Sequence, residues 1–329
     1  MQFSPLEPAD AGTLDEVVTL WRSAYEADRP ADPPYCPAWE QSGVLHPQPG
    51  ERYEHWLARD GGRLTGVVAL GFPELDNTGT AYVDVVVHPA VRGRGTGRAL
   101  WDLACARARR QDRKLAMFEA RMDTPDEAFA RAVGGELGIL SARRRLVVGP
   151  AVLATCDALW DAALPHAAGY EIHTYAGAVP ERWVADMAYL AGRMSTDAPL
   201  DDLEFEPEAY DVARMRDREA VRDARGADGY SAVAVHAGSG AVVAFTDVGY
   251  AAEDPATAYQ HDTLVDPAHR GHRLGTLVKV ANLRQVLAAR PTIERLFTWN
   301  AVSNGPMIAV NEAMGFRLWD LWGEWQARL

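Results

Sequence analysis

Arg92-Gly93-Arg94-Gly95-Thr96-Gly97 is the stretch of this sequence best suited to chemistry. Its glycines let the backbone turn tightly and come close to a ligand. If a helix starts where the stretch ends, its free N–H groups and positive dipole end suit a pyrophosphate. Arg92, Arg94 and Arg98 add charge. Rival glycine-rich motifs fail by position. A dinucleotide fingerprint starting at Gly93 needs Gly or Ala at 98, where Arg98 stands. A Walker A loop would end in Gly-Lys-Ser/Thr, which neither half contains. The plain alternative is a glycine turn with exposed arginines.

A second copy weakens that alternative. At a constant offset of 178 residues, Asp84 meets Asp262, Val87 meets Val265, Pro89 meets Pro267, Arg92-Gly93 meets Arg270-Gly271, and Gly97 meets Gly275. The Thr-Ala-Tyr segments that open the two copies, at Thr80 and Thr257, align only after a one-residue slip. A repeat of this length marks a duplicated structural unit.

The elements needed to hold such loops can be read in both halves. Val83 to Val87 is short and rich in β-branched residues, as a buried strand is. Leu100, Leu103, Ala104 and Ala108 follow at helical spacing, as do Leu277, Val280, Leu283 and Leu287. A strand is expected after each helix, at Leu115–Phe118 and Leu296–Trp299. Hairpins are expected upstream, from Glu54 to Leu70 with a turn at Asp60-Gly61-Gly62, and from Tyr230 to Val248 with a turn at Gly238-Ser239-Gly240. Each half opens with helical sequence, Asp15 to Ala27 and Pro180 to Met194, with Asp15 as a candidate cap. Gly149-Pro150, Pro165 and Gly169 punctuate the chain between the halves. The expectation is an α+β protein with an N-terminal domain over 1–150, a linker over 151–170 and a C-terminal domain over 171–329.

Composition narrows the class. The chain has 329 residues, 48% hydrophobic and 24% charged, as in ordinary globular proteins. No apolar run reaches the roughly 18 residues of a membrane span, and no signal peptide is recognised at the start. The net charge of −13 argues against nucleic acid as a partner. Residues 1–150 carry a net −3 and residues 151–329 a net −10, so the second half is the better attractor of a cation. Cys36, Cys105 and Cys156 lack CxxC spacing and read as reduced thiols of a cytoplasmic protein. The nine histidines form no zinc-type cluster, so no metal is expected.

Val87-His88-Pro89-Ala90-Val91-Arg92-Gly93-Arg94-Gly95-Thr96-Gly97 resembles the acyl-CoA loop of the GNAT superfamily of N-acetyltransferases. The second copy matches less fully, because Arg273 stands where a glycine is expected. Its tail compensates: Asn304-Gly305-Pro306-Met307 and Asn311-Glu312-Ala313-Met314-Gly315-Phe316 look like the family's second coenzyme helix and its Gly-Phe end. The first half has a faded version, Ala128 to Gly135. Two tandem copies would cover nearly the whole chain, a layout also found in mycothiol synthase.

The resemblance implies two tandem GNAT-like domains, each a mixed, mainly antiparallel sheet with helices on both faces and a central strand pair splayed at a bulge. It implies acetyl-CoA as co-substrate, held by main-chain hydrogen bonds in the splay. The coenzyme-binding positions would be Val85, Val87, Arg92, Gly93, Arg94, Gly95, Thr96, Gly97 and Arg98 in the first half. Their counterparts are Leu264, Val265, Arg270, Gly271, His272, Arg273, Leu274, Gly275 and Thr276, with Asn304 at the head of the later helix, where an N-cap is the plainer role. The family's base is usually a carboxylate that takes the proton of the acceptor amine. That makes Asp262, Asp84 and His261 the catalytic candidates, with Asp247 placed to pair with Asp262 across the sheet. The tyrosine that commonly protonates the departing thiolate is replaced by Asn311 and Ala130; Tyr259 or water is left as the donor.

Trp299, Trp319, Trp322 and Trp325 suit either core packing or an aromatic wall. The acidic run Asp197, Asp201, Asp202, Glu204, Glu206, Glu208 suits a solvated loop or a funnel for a cation. The expected activity is acetyl transfer to a primary amine of a small molecule, performed by the second half of a monomer or homodimer. A non-catalytic acyl-CoA-binding protein and a protein acetyltransferase are the alternatives.

Overall fold

A computed structural model describes residues 1–329, which separate into two compact units. The first comprises Met1–Ile139, Asp201–Glu206 and Trp322–Leu329; the second comprises Leu140–Leu200 and Pro207–Leu321.

In chain order the first unit contains β1 (Gln2–Pro5), α1 (Ala11–Asp28), α2 (Pro37–Leu45), β2 (Glu51–Asp60), β3 (Arg63–Pro73), β4 (Thr80–Val87), α3 (Thr96–Arg109), β5 (Leu115–Arg121) and α4 (Pro125–Ala132). Strand β6 (Glu136–Val147) starts in the first unit and ends in the second. The second unit continues with α5 (Pro150–Ala163), β7 (Tyr170–Ala176), α6 (Val184–Asp197), α7 (Val212–Ala224), β8 (Asp228–His236), β9 (Val242–Tyr250), β10 (Thr257–Val265), α8 (Leu274–Ala289), β11 (Arg295–Ala301) and α9 (Gly305–Met314). The last strand, β12 (Arg317–Arg328), ends in the first unit.

Within the first unit the strands run β1-β2-β3-β4-β5-β12, and only β4 and β5 are parallel. Helix α3 buries Leu100, Trp101, Ala104 and Ala108 with Val68, Leu70, Phe72 and Val83 on one face. Helix α1 buries Leu14, Val17, Val18 and Leu20 with Leu57 and Val67 on the other. Gly66 is where α3 comes nearest β3: an added Cβ would lie 2.8 Å from Leu100 Cδ1 and 3.1 Å from the Val86 carbonyl. The cap of α1 is Asp10, which accepts from the Thr13 N–H; Asp15, the expected cap, lies inside the helix.

In the second unit the order is β6-β11-β10-β9-β8-β7, with β10 and β11 parallel. Helix α8 packs Val280, Leu283 and Val286 with Val248, Ala258 and Leu296. Helices α6 and α7 pack Leu190 and Met215 with Val233, Phe245 and Leu264 on the opposite face.

The expected boundaries need correction. Residues 151–170 are no open linker: α5 buries Cys156 and packs Leu159 and Trp160 into the second core. Each sheet also takes its outer strand from the other repeat. Trp322–Arg328 pairs with β5 of the first unit, and Ser141–Val147 pairs with β11 of the second. The acidic run is not solvated throughout. The Asp197 side chain is 7% exposed and pairs with Arg193 and Arg270. Asp202 to Glu206 packs in the first unit, where Gln326 bonds the Glu204 N–H at 2.9 Å and the Asp202 carbonyl at 2.9 Å.

Candidate active site

Each parallel strand pair opens like a V. β4 pairs with β5 only at Thr80, Ala81 and Tyr82; β10 pairs with β11 only at Thr257, Ala258 and Tyr259. Beyond those points the outer edges remain paired, with β3 and β12 in the first unit and with β9 and β6 in the second. The inner edges therefore present unpaired backbone groups to a slot, the setting in which an extended amide-bearing arm can bind as an added strand. Val85 and Val87 lie on the first inner edge, and Leu264 and Val265 on the second.

At the mouth of each V a glycine loop leads into a helix. Gly93 and Gly95 have φ of +74° and +88°, and Gly95 caps α3. Gly271 and Arg273 have φ of +88° and +55°, and Arg273 caps α8. Gly97 sits against the strand end, where an added Cβ would lie 3.5 Å from Val87 Cγ2; at Gly275 the distance to Val265 Cγ2 would be 3.7 Å. Thr96 and Leu274 are buried in the first turn, and Thr276 is half-buried. Both helix N-termini thus face the loops with free N–H groups.

Several arginines expected to meet phosphate are otherwise engaged. Arg92 donates through Nε to the Val87 carbonyl at 3.0 Å and through both Nη atoms to Asp28 at 2.5 and 2.7 Å. Arg270 repeats the arrangement, donating to the Val265 carbonyl at 3.2 Å and to Asp197 at 3.1 Å. Both are staples that tie the loop to the strand end and to the last residue of α1 or α6. Arg98 pairs with Asp102 and donates to the Ala132 carbonyl. His272 bonds the His166 carbonyl at 3.0 Å, and Arg273 the Ala162 carbonyl at 3.4 Å. Arg94 is exposed at the loop tip. Asn304 accepts from the Met307 N–H and is the N-cap of α9.

The two copies differ at the strand itself. β4 pairs with β3 in unbroken register from Tyr82 to Val87. β10 shifts register against β9 between Gln260 and Thr263, a bulge that the β4–β3 ladder lacks. The bulge is the one-residue slip of the sequence repeat: β10 has 9 residues where β4 has 8. Gln260 Nε2 and Thr263 Oγ1 both bond Thr246 Oγ1, at 2.8 and 2.7 Å, so these two residues share one face. His261 and Asp262, between them, therefore both turn to the other face, and the Asp262 carbonyl leaves the ladder to accept from Thr246 Oγ1 at 3.2 Å. Asp247 lies opposite this pair in the ladder. Gly249 makes room for the imidazole; a Cβ there would lie 2.7 Å from His261 Nε2.

Burial and the charge of Asp262 push the Asp247 carboxyl well above its usual range. Burial lowers His261, which is therefore neutral at pH 7. The first unit gathers acids as well. Asp84 on β4 is raised by burial and by Asp126. Glu119 on β5, directly opposite Glu324 on β12, is raised to about 7 by burial, then by Glu324 and Asp84. Asp84, Glu119 and His261 keep solvent-accessible surface while protein surrounds them, as at the floor of an open cleft.

Asn311 and Ala130, at the position of the missing tyrosine, are both 0% exposed. Tyr259 stacks with Phe297 and Trp299 at 6.3 and 6.2 Å. The tryptophans divide between roles. Trp325 is core in the first unit, Trp322 lies under the Arg29 guanidinium at 4.5 Å, and Trp299 remains 41% exposed.

Sequence reading missed Glu119, Glu324 and Lys279. The two glutamates meet through strand exchange, which nothing in the repeat announced. Lys279 could have been found, since the constant offset sets it opposite Trp101.

Comparison with known proteins agrees with this geometry. A family model described as "Acetyltransferase (GNAT) family" matches residues 14–134. No curated protein matches significantly. A tandem GNAT protein from the clavulanic acid biosynthesis pathway, solved without acetyl-CoA, superposes with a TM-score of 0.80 at 30% identity, covering 99% of this chain and 98% of that one. A GCN5-related N-acetyltransferase from Sphaerobacter thermophilus superposes at 0.66 with 14% identity, over 99% and 95% of the two chains. The N-myristoyltransferase of Saccharomyces cerevisiae with bound myristoyl-CoA superposes at 0.62 with 11% identity, over 99% and 77%. The last two likenesses concern the fold alone.

Proposed function

This chain belongs to the GNAT acetyltransferase family as a tandem member, and from that premise we propose that its second unit transfers an acetyl group from acetyl-CoA to a primary amine of a small molecule. The observation that carries the choice of unit is the bulge at His261-Asp262, which only the second splayed strand pair possesses.

Acetyl-CoA supplies the acyl group as a thioester. The residues present fit it: the splayed inner edges offer backbone donors and acceptors, and the loop before α8 offers the helix N-terminus. A bulge takes N–H groups out of the strand ladder, and such groups would serve as preorganised donors for negative charge developing on a carbonyl oxygen. Asp262, Asp247 and neutral His261 share one face beside that bulge. An ammonium acceptor is drawn there by the carboxylate charge, and Asp262 with His261 takes its proton. The surplus of acid in the second half supports a cationic acceptor.

The first unit reads as a coenzyme-binding copy without transfer chemistry. Its loop is complete in glycine, but its strand ladder is unbroken and its tyrosine position is Ala130. The three free cysteines suit the cytoplasm, and no helix is long and apolar enough to cross a membrane.

The test is a panel of amines, aminoglycosides and peptides assayed for release of free coenzyme thiol. Turnover on a small amine is expected. Binding of acetyl-CoA with no turnover on any of them would replace the transferase with an acyl-CoA-binding protein.

A further inference from the structure

We propose that Lys279 protonates the coenzyme A thiolate as it departs, replacing the hydroxyl missing at Asn311; the inference rests on the transferase reading above.

The repeat offset of 178 sets Lys279 in the place of Trp101. In the first unit Trp101 packs edge-on against Phe118 at 4.9 Å and Phe129 at 6.5 Å, and Ala120 and Ala130 are buried in the neighbouring cluster. That layer, between α3, α4 and β5, contains no polar side chain from these positions. Strand register equates Thr80 and Leu115 with Thr257 and Arg295, and so Phe118 with Thr298 and Ala120 with Asn300. The same layer of the second unit is therefore Lys279, Thr298, Asn300 and Asn311. Each substitution is apolar to polar. Lys279 and Thr298 are 1% exposed and Asn311 is 0% exposed.

Burying this many polar groups is costly unless each is used. Two are incompletely satisfied. Lys279 has no hydrogen bond or ion pair, and Nζ lies 5.8 Å from the centroid of the Phe316 ring. Asn311 donates to Asn300 Oδ1 at 2.7 Å, but its own Oδ1 is buried without a partner. A free ammonium and a free carbonyl thus remain in the wall between α8, α9 and β11, beside the open strand edges. A thiolate is the guest that an otherwise unpaired ammonium would stabilise there.

Burial lowers Lys279 to about 7, partly opposed by the charge of Asp247. A donor near this value gives up its proton readily at neutral pH. Of the packed elements, β9 supplies Asp247. β11, α9 and the turn after α9 supply Thr298, Asn300, Asn311 and Phe316, none of which titrates near pH 7. His261 and Asp262 occupy the opposite face of β10. In the transfer, a C–N bond forms and the C–S bond breaks. Sulfur keeps the electron pair and takes a proton from Lys279 Nζ. The proton of the amine leaves to the acids on the other face, and Lys279 regains one from solvent.

The test titrates the thiol of bound coenzyme A by its ultraviolet thiolate absorbance, with no acceptor present. The first loop is closed by Gly95→Glu so that only the second unit is read. The native residue, Lys279→Met and Lys279→Arg are compared in that background, with Lys279→Gln as a second neutral variant. Expected is a thiol about tenfold more acidic with lysine than with methionine or glutamine, with the shift restored by arginine. Equal thiol titration in the lysine and neutral proteins would overturn the inference and leave the transferase reading standing. Failure of coenzyme A to bind the protein with Lys279 would overturn the second-unit reading, and this inference with it.

Discussion

Arg273 holds the left-handed backbone conformation at the head of α8 that Gly95 holds at the head of α3, with φ/ψ of 55°/22° against 88°/−4°. A side chain there costs about 1–2 kcal/mol, because Cβ crowds the following carbonyl. Glycine would relieve this, and its greater unfolded entropy would return about 0.5–1 kcal/mol of the gain. Arg273→Gly is expected to raise stability by about 0.5 kcal/mol in urea unfolding. A clear loss of stability would mean that the Arg273 bond to the Ala162 carbonyl outweighs the backbone strain.

The loop geometry was legible because glycine spacing is a local signal. The departure at Arg273 was visible too, but not that the backbone would keep its shape there. Both hairpins, both central strands and both loop helices could be read from periodicity and turn residues. The exchange of outer strands could not, since pairing partners far apart in sequence leave no trace in either strand. The bulge was written in the repeat as a slip at Thr-Ala-Tyr; its meaning emerged only from the register of β10 on β9.

Strand exchange makes the end of the chain part of the first unit. Residues 1–150 alone would expose the edge of β5 and lose Trp325, which is 1% exposed in the core with Ala120 and Ala130. That fragment is expected to aggregate or remain unfolded by circular dichroism. In the full chain, Trp325→Ala should destabilise the protein by about 3–5 kcal/mol. A soluble, cooperatively folding 1–150 fragment would contradict the pairing of β12 with β5.

Glu119 faces Glu324 and is raised from its ordinary 4.5 to about 7. A carboxyl raised on folding binds its proton more tightly in the native state. Its favourable effect is therefore complete below pH 4.5 and is lost as pH rises toward 7. Glu119→Gln should leave stability nearly unchanged at pH 4 and raise it at pH 8. Because solvent reaches the group, the gain is about 1 kcal/mol at most. Equal effects at both pH values would mean that the glutamate is not held against a like charge.

Asp262→Asn should lower turnover by about 10²–10⁴-fold while acetyl-CoA affinity stays nearly unchanged. In the proposed reaction the carboxylate faces the acceptor, whereas the coenzyme would be held by the loop and main chain. A matching loss of acetyl-CoA affinity would instead make Asp262 a support of the bulged strand.

The most direct measurement compares coenzyme-thiol release after closing each loop separately, with Gly95→Glu and Gly97→Glu in the first unit and Gly271→Glu and Gly275→Glu in the second. If the second unit performs transfer, activity survives closure of the first loop and is lost with the second. Activity that persists with the second loop closed, and vanishes with the first, would place the chemistry at β4 and contradict the assignment to the bulged strand.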